Sequence, residues 1–161
     1  MKIWKDQKGF SLIELIIVIG IAAIIAGISL RMLGQISTTN TEKVVKTISD
    51  ALTKQQMKSM SKEVKPYLYI YERNGKYYYI FSESNTYDYS TMGTNGKEIG
   101  NGVTISYKVG STEYIIGGII TLKISYKRDG SFDDAPDSII IKGKPDRTIK
   151  LNKITGKHVI Q

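Results

Sequence analysis

The 161-residue sequence predicts an α+β fold in the shape of a lollipop. One long N-terminal helix is expected over residues 10–63, its second half packed on an antiparallel β-sheet domain over residues 64–161. Three observations carry this. Residues 10–30 are almost wholly apolar, with Glu14 their one charge, and contain no proline. Residues 31–63 turn polar, with apolar positions recurring near the 3.6-residue helical period. After Pro66 come short runs rich in Tyr, Ile and Val, separated by Asn-Gly, Asp-Gly and Thr-Gly pairs that signal turns.

The first element opens on "MKIWKDQKG", where Lys2, Lys5 and Lys8 stand against Asp6. A basic start favours retention of that end in the cytoplasm and export of the remainder of the chain. As a helix at about 1.5 Å per residue, residues 10–30 would reach roughly 30 Å, the thickness of a bilayer's hydrocarbon core. A charge deep in that core costs about 2.5–3.5 kcal/mol on insertion scales, so Glu14 marks a functional position. A secretory signal peptide also begins with a basic end, but this apolar stretch is long for one and carries a carboxylate in its first turns.

In the second half of the helix, Val44, Val45, Ile48, Leu52, Met60 and Val64 form the expected buried stripe, with Gln56 weakening it. Pro66 ends the helix, because a proline has no N–H to continue it. Gly27 and Gly34, each worth about 1 kcal/mol against Ala inside a helix, fit either a softer segment or close packing through small residues.

The strands expected are "YLYIYE" and "KYYYIFS", a hairpin through Asn74-Gly75, then "GVTISYKV", "EYIIGG", "ITLKISYK", "SIIIKG", "RTIKLN" and "KHVI". The stretch "SNTYDYSTMGTNGKEIGNG" reads as a long exposed loop. In "YLYIY", Tyr67, Tyr69 and Tyr71 share one face and Leu68 and Ile70 the other, so at least one set is expected to be exposed, yet strand propensity and core packing are a stronger reading of the tyrosines than a stacking or adhesive surface. Asp129, Asp133, Asp134 and Asp137 gather in one loop; calcium takes such oxygen-rich loops, but the spacing is not that of an EF-hand and a polar turn is the stronger reading.

Composition limits function further. The chain has no Cys and one His, His158, and shows no Walker loop, GxSxG or HExxH motif. Enzyme activity, a cofactor and a metal are therefore not expected. The formal net charge of +8 favours loose attraction to polyanions.

"KGFSLIEL" resembles the processing site of type IV prepilins and type II secretion pseudopilins. The resemblance implies that a prepilin peptidase removes residues 1–9 by cutting between Gly9 and Phe10, that the new amine of Phe10 is methylated, and that residues 10–30 persist as membrane anchor and filament core. Glu14 falls at the family's glutamate, five residues into the mature chain. There its carboxylate can meet the Phe10 amine of a neighbouring subunit and set axial register, a well-attested use of a buried ionic pair. The implied partners are other pilin or pseudopilin subunits, the peptidase and an inner-membrane assembly platform. The implied location is the cytoplasmic membrane, N-terminus inside, followed by a surface filament of a pilus, secretion or competence system.

The C-terminal segment "LKISYKRDGSFDDAPDSIIIKGKPDRTIKLNKITGKHVIQ" is similar to the end of the GspH/FimT group of minor pilins and pseudopilins, with Asp129-Gly130 and Thr155-Gly156-Lys157 at the group's turn and tail positions. This implies a minor subunit that primes assembly or sits near the tip. Some of that group bind DNA through a G-R-x-R tail. Here the matching positions are Gly156, Lys157, His158 and Val159, so one basic residue is kept and one is lost. Arg147, Lys150, Lys153 and Lys157 are the DNA-binding candidates, with Lys142 and Lys144 nearby. The competing reading is a lysine-protected sheet edge.

Overall fold

The structure is a computed structural model. It describes residues 11–61, 65–88, 90 and 95–161, and within the helix the side chains of residues 26–39 fall outside that description. Two compact units emerge, Met1–Ile36 and Ser37–Gln161. Helix α1 (Leu12–Ser61) contributes to both. The second unit thus includes the later part of the helix together with all ten strands.

In the first unit the described part of α1 is apolar and bare. From Leu12 at 77% exposure to Ile25 at 60%, each large apolar side chain lies open. Among the described residues no helix is long and apolar enough to cross a membrane. In the segment expected as an anchor over residues 10–30, side chains are described for residues 11–25, fewer than the roughly 20 residues a crossing needs.

In the second unit α1 buries one stripe: Thr41, Val44, Val45, Ile48, Ala51, Leu52, Gln55 and Ser59. The spacing is the helical period. The stripe differs from the sequence expectation at its end. Met60 is 56% exposed, while polar Gln55 and Ser59 continue the buried line. Gln55 Nε2 donates to the carbonyl of Pro66, the residue where the chain turns away. Val64 lies outside the described residues.

The strands form two antiparallel five-stranded sheets rather than one. The first has the order β3-β2-β1-β6-β7, built from β1 (Tyr67–Arg73), β2 (Lys76–Ser82), β3 (Lys97–Asn101), β6 (Leu122–Tyr126) and β7 (Phe132–Asp134). The second has the order β10-β9-β8-β4-β5, built from β4 (Thr104–Val109), β5 (Thr112–Ile115), β8 (Ser138–Lys142), β9 (Arg147–Leu151) and β10 (His158–Ile160). Asn74 and Gly75, at φ 53° and 74°, close the β1–β2 hairpin as expected. Strands β3 and β7 are additions to the expected set; they lie in the stretches that read as an exposed loop and an acidic turn.

The core joins the helix stripe to both sheets. Val44, Ile48 and Leu52 meet Leu68, Ile70 and Ile124 of the first sheet and Ile105, Ile139, Ile141 and Ile149 of the second. Each such side chain contributes about 1.5–3 kcal/mol on full burial.

The tyrosines of β1 pack as core, and the expectation that one of its faces is exposed is overturned. Leu68, Ile70, Tyr69 and Tyr71 are all 1% exposed or less, so both faces of β1 are covered. Tyr87, from the stretch that reads as an exposed loop, packs over Tyr69 and Tyr71 with ring centroids 5.4 and 5.3 Å apart. Tyr69 donates to the carbonyl of Ser84 at 2.9 Å. At Gly96 an added Cβ would lie 1.9 Å from the Tyr71 hydroxyl, so the backbone returns against the ring where only glycine fits. The connection packs because it brings its own aromatic surface.

Candidate functional site

Gly9 and Phe10, the expected cleavage and methylation positions, lie outside the described residues. The motif becomes visible at Ser11. The Oγ of Ser11 accepts from the N–H of Ile13 at 3.2 Å, and Glu14 Oε2 accepts from the N–H of Ser11 at 2.9 Å. This is a reciprocal capping box, which satisfies two of the N–H groups a helix start leaves open. Its S-x-x-E signature, Ser11-Leu12-Ile13-Glu14, is legible in the sequence but is masked there by the assembly role expected of Glu14. Glu14 therefore sits at the helix N-terminus with one oxygen used locally, and a carboxylate there is favoured by the helix dipole.

The basic candidates do not form one patch. Register pairs Lys108 with Ser138, Ser138 with Lys150, and Lys150 with Val159 in a row across the second sheet. Residues directly opposite share a face, and Ile139, Ile149 and Leu151 fill the face toward the core. Lys150 and Lys108 thus lie on the outward face. Lys142 lies there too, opposite Thr104, and Lys157 follows by alternation, two residues before Val159. Arg147 lies on the opposite face. Its Nε and Nη2 both reach Glu42 Oε1 at 2.8 Å. Lys153, in the β9–β10 turn, reaches Asp137 at 2.7 Å, and Lys142 reaches Glu113 at 2.9 Å.

The acidic loop is tied down by neighbours. Asp129 accepts from Ser131, which holds its carboxyl below the usual range. Asp133 is lowered chiefly by Lys65 and Asp137 chiefly by Lys153. Asp134 reaches Lys123 at 3.1 Å. These contacts account for the cluster as a set of turn and strand ties.

Sequence reasoning missed a seam along the helix. Glu42, Ser49 and Gln56 are seven residues apart, two helical turns, and so lie in one line. Glu42 holds Arg147. Ser49 Oγ lies 2.7 Å from Nε2 of His158, whose burial lowers its pKa. Gln56 Nε2 donates to the carbonyls of Gly130 at 2.7 Å and Gly156 at 3.4 Å. At Gly156, with φ +67°, an added Cβ would lie 1.8 Å from the Gly130 carbonyl oxygen. The "DG" and "TGK" turns of the C-terminal resemblance thus meet backbone to backbone under a helix side chain, which gives their glycines a packing reason. The signal available in the sequence was the seven-residue spacing of the three polar residues.

The family model of the prokaryotic N-terminal methylation motif matches residues 4–30, so the chain carries the type IV prepilin-like signal. No curated protein and no solved structure matches the chain.

Proposed function

We propose, starting from that signal, that the chain is a minor subunit of a type IV pilus-like filament. It would be cut after Gly9, methylated on Phe10, anchored in the cytoplasmic membrane through residues 10–30, and drawn into the filament by an inner-membrane assembly platform. The observation that carries this is the methylation motif running directly into a helical segment whose apolar side chains, from Leu12 to Ile25, are uncovered. Such a surface calls for lipid or for the equivalent helices of neighbouring subunits. The capping box supports a place for Glu14 at the helix start, with one oxygen used by the N–H of Ser11. The minor role, in priming or at the tip, rests on the C-terminal resemblance to the GspH/FimT group. The work of this protein is assembly, and the chemistry expected is done to it.

N-terminal mass spectrometry of membrane and sheared-filament fractions tests the reading. The expected terminus is methylated Phe10; a chain beginning beyond Ala22 would reject it. Glu14→Ala should leave cleavage intact and lower incorporation into filaments by tenfold or more, as expected when a buried pair worth about 3–5 kcal/mol loses one partner. Normal incorporation on immunoblots would remove the assembly role of Glu14.

A second reading, capture of DNA, is favoured by one observation: Lys108, Lys142, Lys150 and Lys157 share the outward face of the second sheet. Lysines neutralise phosphates largely without reading sequence. The full chain in detergent should shift duplex DNA at about 50 mM salt and lose it near 200 mM. Reversal of Lys108, Lys150 and Lys157 to Glu should abolish the shift. No shift at the lower salt ends this reading.

A further inference from the structure

The second sheet ends in two strands that are unpaired on their outer sides among the described residues, β5 and β10. Both are exposed and partly apolar. On β5, Tyr114 is 41% and Ile115 55% exposed; on β10, Val159 is 58% and Ile160 46%. Proteins usually guard such edges with proline, inward charges or lysine, and neither strand contains Pro or Lys. Resting on the filament reading above but not on the tip position, since it needs adjacent copies of this chain, we infer that β10 of one copy pairs in parallel with β5 of a second copy, continuing the sheet from subunit to subunit.

The backbone restricts the register. Thr148 and Gln161 exchange N–H···O bonds of 2.9 and 2.8 Å, and Asn152 donates to Lys157 at 2.8 Å. Alternation along an antiparallel ladder then turns the groups of Lys157, Val159 and Gln161 toward β9, and those of His158 and Ile160 toward the open edge. On the other side, Ile116 donates to Ile105 at 3.0 Å. The same alternation leaves Glu113 and Ile115 with their groups on the open side of β5. In a parallel ladder, a residue bonds to the two residues flanking the one opposite it. His158 must therefore stand opposite Tyr114 of the second copy to use both Glu113 and Ile115.

Registers shifted by two residues satisfy the same alternation, and the one with His158 opposite Tyr114 is singled out by its chemistry. It sets Lys157 opposite Glu113 and Val159 opposite Ile115 on the outward face. Glu113 Oε1 holds both Ser106 and Lys142, which leaves Oε2 for Lys157. Side-chain alternation agrees as well, because each matched pair comes from the same face of the sheet. Strands β5 and β10 run in the same direction, so parallel pairing orients the helices of successive copies alike. The contact is heterologous: each copy offers one edge and accepts at the other. Such a contact propagates into an open filament instead of closing into a dimer. It is short, well below the size of a stand-alone interface, so it acts as a lateral guide where a membrane or helix bundle already brings the copies together.

The native chain has no cysteine, which makes cross-linking clean. The full chain carrying Val159→Cys and Ile115→Cys together, oxidised in the membranes of producing cells, should give a ladder of dimers, trimers and longer products. Each single variant, and a control pair of Ile154→Cys with Ile115→Cys, should give none. Lys157→Glu should weaken the ladder about two- to fivefold, the scale of one exposed ion pair, and Glu113→Lys added to it should restore the ladder. No ladder from the matched pair, an equal ladder from the control pair, a dimer from Ile115→Cys alone, or indifference to Lys157→Glu would each overturn the proposal. The N-terminal mass of the same samples separates the two levels: a methylated Phe10 terminus without a ladder rejects the edge contact and leaves the filament reading standing.

Discussion

The two described parts of helix α1 have opposite fates. Residues 12–25 are apolar apart from Glu14, yet their large side chains are more than half exposed. Residues 41–59 are far more polar, yet they bury a complete stripe, with Ile48 and Leu52 at 0% exposure and even Thr41 and Gln55 sealed. Apolar content therefore does not decide burial here. A helix side is buried when something within the chain is shaped to cover it, and the two sheets cover the later part. The earlier part is written for a surrounding the chain does not supply, which agrees with the prepilin-like signal at residues 4–30.

Truncation at matched positions should break the comparison most sharply. Ile48→Ala should cost about 2–5 kcal/mol, the range for a large aliphatic lost from a packed core. Ile17→Ala, the same chemistry in the bare part, should stay within about 0.5 kcal/mol. Urea denaturation of the full chain in detergent, followed by circular dichroism, measures both. Equal costs would mean that residues 12–25 are packed against the chain after all.

Gly156→Ala asks whether the polar seam also holds the later part in place. The new Cβ would meet the Gly130 carbonyl, at a backbone angle that disfavours side chains. A loss of at least about 1–3 kcal/mol is expected from the backbone conformation alone, read as a lowered midpoint in the same denaturation. An unchanged midpoint would mean that the two turns move apart freely.

The smallest effect belongs to His158. Burial lowers its pKa, so the unfolded chain takes up the proton first as pH falls. Stability is then full above the ordinary histidine value near pH 6.5 and declines as pH drops through it. Glu113, Asp129, Asp133 and Asp137, with lowered pKa values, act in a separate window: their contribution is full above about pH 4 and is lost below it. The melting temperature should drop by a few degrees between pH 7.5 and 5.5, and His158→Gln, which can still bond Ser49, should flatten that drop. A drop of the same size in the variant would place the titration elsewhere.

Several features are readable from the order of residues alone. The class of the fold, the Asn74-Gly75 hairpin and most strands follow from local rules, because residue alternation and turn chemistry act within a few residues. Glu14 announces itself by standing alone in an apolar run, and the motif around it needs no tertiary context. Strand β3 and the Tyr87 cover escape such reading, because a polar, glycine-rich connection gives no local sign that it will fold back over a tyrosine face. One face of β1 is expected to be exposed for the same reason: burial of a strand's second face depends on what returns to lie on it. The Arg147–Glu42 pair removes one residue from the basic group, and the pleat moves Lys108 and Lys142 to the face of Lys150, since a face is defined by pairing partners far away in sequence. The sequence by itself determined the helix, most of the strands and the N-terminal methylation motif, which arise from neighbouring residues. Only the tertiary structure decided which surfaces are covered, which charges are paired and which sheet edges stay open, because each depends on contacts between distant segments that folding alone brings together.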